Sequence, residues 1–267
     1  MRMKDKVALV IGAGQGPGEG IGNGRATAVL FAREGAKVLA VDRQLGSAEE
    51  TVRMIAEEGG TASAFEADVT REATLKAAVD ETMRHWGRID VLHYNVGVSL
   101  AGGDKSPLEI TEAAFDNVTA INLRGFVMAV KHTLPIMQAQ KSGVILSISS
   151  VAAISSVYPT VAYKTTKAGM IAFTEQIARH NAPAGIRCNV ILPGLMDTPM
   201  AVDTRAREWG KTRAEVVAER NARVPLRGKM GSAWDVAHAC LFLASDDANF
   251  ITGVALPIDG GASLRGG

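Results

Sequence analysis

The sequence contains little cysteine and little histidine, and both residue types are scattered. There are two cysteines, Cys188 and Cys240, and five histidines among 267 residues. Two distant cysteines form neither a disulfide framework nor a zinc motif, and no histidines have the spacing of a metal-binding helix. The sequence therefore favours a reducing compartment and predicts no bound metal.

The chain also lacks an excess of one charge and a long apolar run. Lysine and arginine total 29 and acidic residues total 28, so the net charge is +1. This balance gives no bulk electrostatic support for nucleic-acid binding. No apolar run reaches the ~18 residues that a membrane-spanning helix needs. We expect a cytoplasmic globular protein that binds neither nucleic acid nor a membrane.

Short apolar runs alternate with amphipathic segments along the whole chain. The runs are typical of buried strands, and the segments between them have helical spacing. This alternation predicts an α/β fold, a doubly wound Rossmann-type sandwich with a seven-stranded parallel sheet. The predicted strands are 6–11, 37–41, 61–67, 89–94, 144–148, 186–192 and 254–258.

Three further expectations concern the organisation of the chain. We expect residues 1–267 to form a single domain, with 195–230 as a helical substrate lid whose charged side chains face solvent. Ser47 and Glu50 fit a capping box at the start of the second helix. Helical spacing continues from Thr111 to Met137 and predicts one long helix there.

Glycine is abundant, with 28 residues, and it occupies every even position from Gly12 to Gly24. This run lies directly between the first predicted strand and the first predicted helix. Its backbone N–H groups can approach a pyrophosphate, and a helix N-terminus adds partial positive charge. No Gly-Lys-Ser or Gly-Lys-Thr follows, which argues against an NTPase loop. The run predicts a dinucleotide-binding site.

Asp42 ends the second predicted strand, where an acid can accept hydrogen bonds from the adenosine ribose hydroxyls. A 2′-phosphate carries about −1.5 to −2 charges and would be repelled by this carboxylate. The sequence therefore favours NAD over NADP as the cofactor. Arg43 leaves the alternative open, because an arginine can bind the 2′-phosphate instead.

Tyr163 and Lys167 lie four residues apart, on one face of a predicted helix. Ser150 lies at the end of the preceding strand, where catalytic groups of such sheets gather. The ordinary pKa of tyrosine is about 10. One positive charge at ~4 Å contributes about 4 kcal/mol at an effective dielectric of ~20, or roughly three pKa units. Lys167 and an oxidised nicotinamide can therefore make Tyr163 a usable base.

Together these motifs resemble the short-chain dehydrogenase/reductase family in its shorter, single-domain branch, over essentially the whole chain. Tyr163 and Lys167 fill the family's Tyr-x-x-x-Lys motif, and Ser150 precedes the tyrosine at the family spacing. Asn122, in Ile-Asn-Leu-Arg-Gly, resembles the family's Asn-x-x-Gly motif. The resemblance implies a catalytic tetrad of Asn122, Ser150, Tyr163 and Lys167.

The resemblance also implies a set of cofactor contacts. They are Gly12, Gln15, Gly22, Asn23, Asp42, Asp68, Val69, Asn95, Gly97, Tyr163, Lys167, Pro193, Gly194 and Thr198. The chain departs from the family in two places. About six extra residues at 15–21 leave open which glycines of 14–24 contact the pyrophosphate. His93 and Tyr94 stand where the family usually has an apolar residue and then asparagine, and we expect both to pack in the strand with their polar ends satisfied locally.

The activity implied by the resemblance is the interconversion of an alcohol and a ketone, usually in a homo-oligomer, often a tetramer. Tyr163 would take the hydroxyl proton, Ser150 would hold the substrate oxygen, and Lys167 would hold the nicotinamide ribose. Asn122 would support a proton relay to solvent. The substrate would contact Ser150, Ala152, Tyr158 and Leu195. Neighbouring positions are mostly apolar and suggest a secondary alcohol or ketone, with no fixed charge to hold an anionic group.

Two other functions remain open at this stage. An NADPH-dependent 3-oxoacyl thioester reductase would use the same tetrad, with a preference for NADPH and a basic docking patch. A catalytically silent cofactor-binding protein would be expected to lack a tetrad member, and none is missing.

Overall fold

The computed structural model describes residues 1–156 and 159–264, and a seven-stranded parallel sheet forms its centre. In chain order the strands are β1 (Val7–Ile11), β2 (Lys37–Asp42), β3 (Thr61–Glu66), β4 (Val91–Tyr94), β5 (Gly143–Ile148), β6 (Ile186–Pro193), β7 (Met196–Asp197), β8 (Gly231–Ser232) and β9 (Ala255–Ile258). The spatial order is β3-β2-β1-β4-β5-β6-β9, and all neighbours run parallel. The predicted seven-stranded sheet is confirmed, whereas the short ladder of β7 and β8 was not foreseen.

The strand order reverses between β1 and β4. The chain first builds outward from β1 to β3, and then returns to place β4 on the other side of β1. In a doubly wound sheet, this reversal opens a crevice at the carboxyl ends of the two strands, where ligands bind. The glycine run leaves β1 at this crevice, and Asn95 follows β4 into it.

Helices cover both faces of the sheet. They are α1 (Asn23–Arg33), α2 (Leu45–Glu57), α3 (Glu72–Trp86), α4 (Glu112–Thr119), α5 (Gly125–Gln140), α6 (Ala162–Asn181), α7 (Thr204–Trp209), α8 (Arg213–Asn221) and α9 (Ala233–Ala244). One core layer packs α1 and α9 on the sheet, and the other packs α3, α5 and α6. Within β1, Ala8 and Val10 enter the first layer, while Leu9 and Ile11 enter the second. Because both faces of the sheet are covered, every residue of β1 is buried and its sequence is a continuous apolar run.

Two of the local predictions were wrong. The helix expected from Thr111 does begin there, with the Thr111 hydroxyl accepting a hydrogen bond from the N–H of Ala114. It is then interrupted by a π-helical turn, Ala120–Arg124, between α4 and α5. Ser47 does not cap α2, because the helix begins two residues earlier, at Leu45. The Ser47 hydroxyl instead bonds to the backbone N–H and carbonyl of Gln15, in the glycine loop.

The segment 195–230 contains the two short helices α7 and α8. It has a small apolar cluster of its own, formed by Val202, Val216, Val224 and Met230. None of the helices in the described ranges is long and apolar enough to cross a membrane.

The expectation for His93 and Tyr94 was half right. Both side chains are fully buried in β4. The Tyr94 hydroxyl donates a hydrogen bond to the carbonyl of Ile121, at 2.6 Å, so its polar end is satisfied. Neither ring nitrogen of His93 has a hydrogen-bond partner among the described residues. Burial lowers the pKa of His93 to about 3, and its ring packs edge-on against Phe31 with the centroids 6.2 Å apart.

This burial predicts an acid sensitivity of the fold. The unfolded chain binds a proton at His93 below its ordinary pKa of about 6.5, whereas the folded chain does so only near 3. Stability is therefore lost as the pH falls from about 6.5 towards 3, by about 1.4 kcal/mol per pH unit. We expect His93→Leu, which has a similar volume, to remove about 2 kcal/mol of the stability lost between pH 7 and pH 5. Urea denaturation at the two pH values measures this difference.

The matched control is His180→Leu, at an exposed position. It should leave the difference between the two pH values unchanged. An undiminished acid loss in His93→Leu would contradict the assignment to His93.

Candidate active site

The first element of the site is the contact between the N-terminus of α1 and the end of β1. Gly22 precedes the helix and α1 begins at Asn23. A Cβ at Gly24 would overlap the carbonyl oxygen of Gly12, so only glycine allows the helix to come this close. Glycine at this point of a dinucleotide-binding turn serves the close packing of helix on strand. Gly24 was missed as a site residue, although it ends the same glycine run.

Gln15 organises the extra residues of the glycine loop. Its side-chain oxygen accepts a hydrogen bond from the N–H of Gly22, at 2.8 Å, and its side-chain nitrogen donates to the carbonyl of Gly20, at 3.2 Å. The N–H of Gly22 is thus already engaged within the loop. The first N–H groups of a helix have no partner inside the helix. The backbone N–H groups in the first turn of α1, from Asn23 onward, are therefore the donors that a pyrophosphate can use.

At the other end of the loop, the Asp42 carboxylate is held in position by the backbone. It accepts hydrogen bonds from the N–H groups of Gly14 and Gln44, both at 3.1 Å. The nearby Arg25 is buried and directs its guanidinium to Thr51 and to Ser47. Arg43 is exposed. Asp42 can therefore receive a ribose, and Arg43 rather than Arg25 is the cation within reach of solvent.

The predicted adenine side lies at the ends of β3 and β4. Asp68 accepts hydrogen bonds from the N–H and hydroxyl of Thr70, at 2.9 and 2.7 Å. Although partial burial opposes it, these bonds hold the pKa of Asp68 below its ordinary value. Val69 is buried and lies against Gly125. Asn95 donates from its side chain to the carbonyl of Gly12, at 3.1 Å, which ties the end of β4 to the glycine loop.

Lys167 lies deep in the site, one turn after Tyr163 on α6. Its ammonium donates to the carbonyl of Ile148, at 2.7 Å, and lies 5.6 Å from the ring centroid of Tyr163. Gly97 provides the room for it, since a Cβ there would come within 2.9 Å of the ammonium nitrogen. Burial lowers the pKa of Lys167 to about 7. No carboxylate in the described ranges pairs with this ammonium.

Tyr163 and Ser150 meet at the carboxyl end of β5. Burial raises the pKa of Tyr163, while a hydrogen bond with the Ser150 hydroxyl and the positive charge of Arg205 lower it. Arg205 lies on α7, and its guanidinium also donates to the carbonyl of Ala201, at 2.9 Å. Arg205 was not among the groups predicted from the sequence to act on Tyr163. Helical spacing alone does not show that Arg205 acts on a tyrosine in another helix.

Asn122 lies in the π-helical turn and connects three parts of the site. Its side chain accepts from the N–H of Val98, at 2.8 Å, and donates to the carbonyl of Val98, at 3.0 Å. It also donates to the hydroxyl of Thr166 on α6, at 3.1 Å. A π-helical turn inside an α-helix is frequently found at a functional site. Asn122 therefore holds the segment after β4 against α6.

Asp104 is a part of the site that sequence reasoning missed. Its buried carboxylate accepts hydrogen bonds from the N–H groups of Ala162 and Tyr163, both at 2.9 Å. It thereby caps the first turn of α6, which carries Tyr163 and Lys167. Nothing in the local sequence around Asp104 indicates a contact with a helix more than fifty residues away.

The remaining predicted contacts lie around the end of β6. A Cβ at Gly194, which follows Pro193, would come within 2.5 Å of Asp259, so the turn after β6 packs tightly on the C-terminal turn. Thr198 is buried and its hydroxyl accepts from the N–H of Ala201, at 3.3 Å.

Of the predicted substrate residues, Ala152 follows Ser150 and donates its N–H to the Ser150 hydroxyl, at 3.1 Å. Leu195 packs against the apolar cluster of the 195–230 segment. Tyr158 lies outside the described residues.

Comparisons with known proteins agree with this geometry. A family model described as "Enoyl-(Acyl carrier protein) reductase" matches residues 16–263. The crystal structure of levodione reductase aligns with a TM-score of 0.91 and 33% identity, covering 98% of this chain and 99% of that one. The chain belongs to the short-chain dehydrogenase/reductase family.

Two curated relatives span almost the full length of the chain. 2-(R)-Hydroxypropyl-CoM dehydrogenase of Xanthobacter autotrophicus is 35% identical over 257 residues, covering 96% of this chain and 97% of the relative. The 3-oxoacyl-(acyl-carrier-protein) reductase FabG of Thermotoga maritima is 34% identical over 263 residues, covering 98% and 99%. The chain is therefore an oxidoreductase of a family that binds a nicotinamide cofactor. The tight cradle of glycines and the helix N-terminus fit the pyrophosphate of such a cofactor.

The influence of Arg205 on Tyr163 can be measured directly. Arg205→Met removes a positive charge that lowers the pKa of Tyr163, so we expect that pKa to rise. Ultraviolet titration of phenolate absorbance measures it, once the curve of Tyr163→Phe has been subtracted to remove the other tyrosines. Lys211→Met, which removes a charge from the same segment, serves as the control and should not move the titration. An unchanged or lowered pKa in Arg205→Met would show that the guanidinium does not act on the phenol.

Proposed function

We propose that the protein is an NAD(H)-dependent oxidoreductase that interconverts a secondary alcohol and a ketone in the cytoplasm. The observation that carries the proposal is the meeting of three side chains at the carboxyl end of β5. The hydroxyl of Ser150 lies near enough to the phenol of Tyr163 to lower its pKa, and the ammonium of Lys167 lies 5.6 Å from the centroid of the phenol ring. A phenol, a hydroxyl and an ammonium in this arrangement can move a proton to or from an alcohol oxygen.

Each of these groups has a distinct task in the proposed reaction. Tyr163 accepts the hydroxyl proton of the alcohol, and the Ser150 hydroxyl donates a hydrogen bond to the same oxygen. A bound nicotinamide would supply the acceptor for the hydride of the carbinol carbon, so that the alcohol would lose a proton to Tyr163 and a hydride to the cofactor and become a ketone. In the reverse direction Tyr163 returns the proton. Arg205 and Ser150 both favour the phenolate, which counters the effect of burial on the pKa of Tyr163.

Lys167 and Asn122 support this chemistry in different ways. Burial lowers the pKa of Lys167 to about 7, so that its side chain can gain or lose a proton near neutral pH. In the proposed reaction it binds the nicotinamide ribose and passes on a proton. Asn122 holds Val98 and Thr166 together, and so fixes the end of β4 against α6. We propose that the tetrad named from the sequence acts in this way, within a single domain whose 195–230 segment covers the substrate.

The preference for NAD rests on the ribose end of the site. The Asp42 carboxylate is fixed by hydrogen bonds from two backbone N–H groups. The guanidinium of Arg25 already donates hydrogen bonds to Thr51 and Ser47. A 2′-phosphate would be desolvated beside this acid, whereas ribose hydroxyls would donate hydrogen bonds to it.

The alternative is an NADPH-dependent 3-oxoacyl thioester reductase. The family model's description and the 34% identity to the Thermotoga maritima reductase support it. It requires Arg43, the exposed cation next to Asp42, to bind the 2′-phosphate. The family habit also leads us to propose a homo-oligomer, with a tetramer as the expected form, which sedimentation equilibrium can test.

The central test is Tyr163→Phe, which removes the proposed base and leaves the ring. Turnover on a panel of secondary alcohols should fall by about 10²- to 10⁴-fold, the usual contribution of a general base. NADH binding, followed by fluorescence, should remain within about twofold of wild type, because the phenol oxygen acts on the substrate. Tyr94→Phe removes a hydroxyl that is bonded to Ile121 and serves as the matched control, with turnover preserved. Wild-type turnover in Tyr163→Phe would exclude this base, and cofactor binding without any turnover in wild type would favour a silent binding protein.

Cofactor choice is tested separately with Asp42→Ala. Wild type should bind NADH in preference to NADPH, and the variant should lose at least about tenfold of that preference, or about 1.4 kcal/mol. Fluorescence titration with the two reduced cofactors gives both dissociation constants. A ratio unchanged by the substitution would contradict the role of Asp42. A wild-type preference for NADPH would make Arg43 the determinant and favour the thioester reductase.

A further inference from the structure

The extra residues of the glycine loop contact the 195–230 segment directly. The N–H of Glu19 donates to a carboxylate oxygen of Asp203, at 3.3 Å. The guanidinium of Arg207 donates to the carbonyl of Pro17, at 3.4 Å. The carboxylate of Glu19 lies 3.7 Å from the guanidinium of Arg213. The charged side chains of this segment were expected to face solvent. Arg207 is exposed as expected, whereas the side chain of Arg213 is only 26% exposed and turns towards the loop.

Arg213 is the centre of this contact. Its guanidinium lies 2.5 Å from Asp197, 3.6 Å from Asp203 and 3.7 Å from Glu19. The Arg213 side chain is 26% exposed and that of Asp203 only 12%, so the inner part of the contact is shielded from solvent. Asp197 directly precedes Thr198, which the family resemblance places at the nicotinamide. One arginine thus connects the glycine loop to the segment at the far end of the cofactor site.

Gly18 shows how closely the two segments fit. It has a φ of +153°, and a Cβ there would come within 2.7 Å of the Asp203 side chain. Gly16 and Gly20, on either side in the same loop, have no atom within 4 Å of an added Cβ. Among these three glycines, only Gly18 packs closely against the 195–230 segment.

We propose that Glu19, Asp203 and Arg213 form an ionic clasp across the bound dinucleotide, and that this clasp sets the rate at which the cofactor leaves. The inference rests on the proposed function only in requiring that the chain binds a nicotinamide dinucleotide. A dinucleotide that extends from Asp42, past the start of α1, towards Thr198 has the glycine loop on one side and the 197–203 segment on the other. It can leave only when these two segments separate.

The geometry of the clasp suits a contact that opens and closes. The pairs of Arg213 with Glu19 and Asp203 are longer than hydrogen-bonded ion pairs, and Glu19 is 79% exposed. Partly exposed ion pairs are individually weak and are screened by salt. Several of them together can slow release without making it irreversible.

The first experiment measures cofactor dissociation by stopped-flow fluorescence, with displacement of bound NADH, or of NADPH if wild type binds only that. Arg213→Gln removes the central charge and should release the cofactor about tenfold faster than wild type. Glu19→Gln removes one outer charge and should release it about two- to threefold faster. Lys211→Gln breaks the exposed pair with Glu219 inside the same segment, and should release the cofactor at the wild-type rate. Raising the salt concentration should accelerate release in wild type more than in Arg213→Gln.

A glycine series tests the clasp without removing any charge. Gly16→Ala changes neither a left-handed residue nor a contact, and it should behave as wild type. Gly20, with a φ of +82°, tests backbone strain alone, and Gly18 combines strain with the collision against Asp203. We expect Gly18→Ala to accelerate release several-fold beyond Gly20→Ala. This series remains informative if Arg213→Gln does not fold, which circular dichroism would reveal.

The outcomes separate the two proposals. A wild-type protein that binds neither reduced cofactor would overturn the proposed function itself. A wild-type protein that binds one, with Arg213→Gln and Gly18→Ala releasing it no faster than their controls, would overturn the clasp and leave the proposed function standing.

Discussion

The close approach of α1 to the end of β1 is the constraint on which the rest of the site depends. A side chain at Gly24 would overlap the carbonyl of Gly12, and Asn95 donates to that same carbonyl. Three segments therefore meet at one backbone oxygen: the glycine loop, the helix that follows it and the end of β4. This contact brings the positive end of α1 to the crevice created by the reversal of strand order. Any cofactor phosphate in the crevice is bound by backbone groups whose positions the fold has already determined.

Helix α6, which carries Tyr163 and Lys167, is held at the same crevice by buried polar groups. Asp104 caps its first turn, Asn122 bonds to Thr166 in its second, and the Ser149 hydroxyl donates to the carbonyl of Lys167. Each of these bonds satisfies a group that would be costly to leave unpaired in the interior. They come from three different segments, so the position of Tyr163 is determined from several directions. This support holds the phenol of Tyr163 beside Ser150, while Arg205 on α7 lowers the pKa of the phenol.

The sequence was sufficient for the features that short-range pattern and motif spacing encode. Alternating strands and helices gave the sheet, and the tetrad residues were named from their spacing, although their roles remain proposals. The π-helical turn at Asn122 escaped prediction because the apolar spacing continues through it. The ladder of β7 and β8 has only two residues in each strand, too few for a period to appear. Burial of His93 was foreseen, but the periodicity of a strand does not show whether a buried ring finds a partner.

Asp104, Arg205 and Arg213 show a different limit of sequence reasoning. Each is a charged residue in a loop or a short helix, where a solvated side chain is the ordinary expectation. Their roles arise from contacts with residues far away in sequence, and those contacts appear only when the chain is folded. The extra glycine-loop residues were visible in the sequence, yet the segment that they contact was not. Extra residues in a loop are stabilised when another part of the protein packs against them. Here Asp203 and Arg213 of the 195–230 segment make those contacts. The extra residues of the glycine loop and the 195–230 segment therefore have to be considered together, because each supplies the groups that the other contacts.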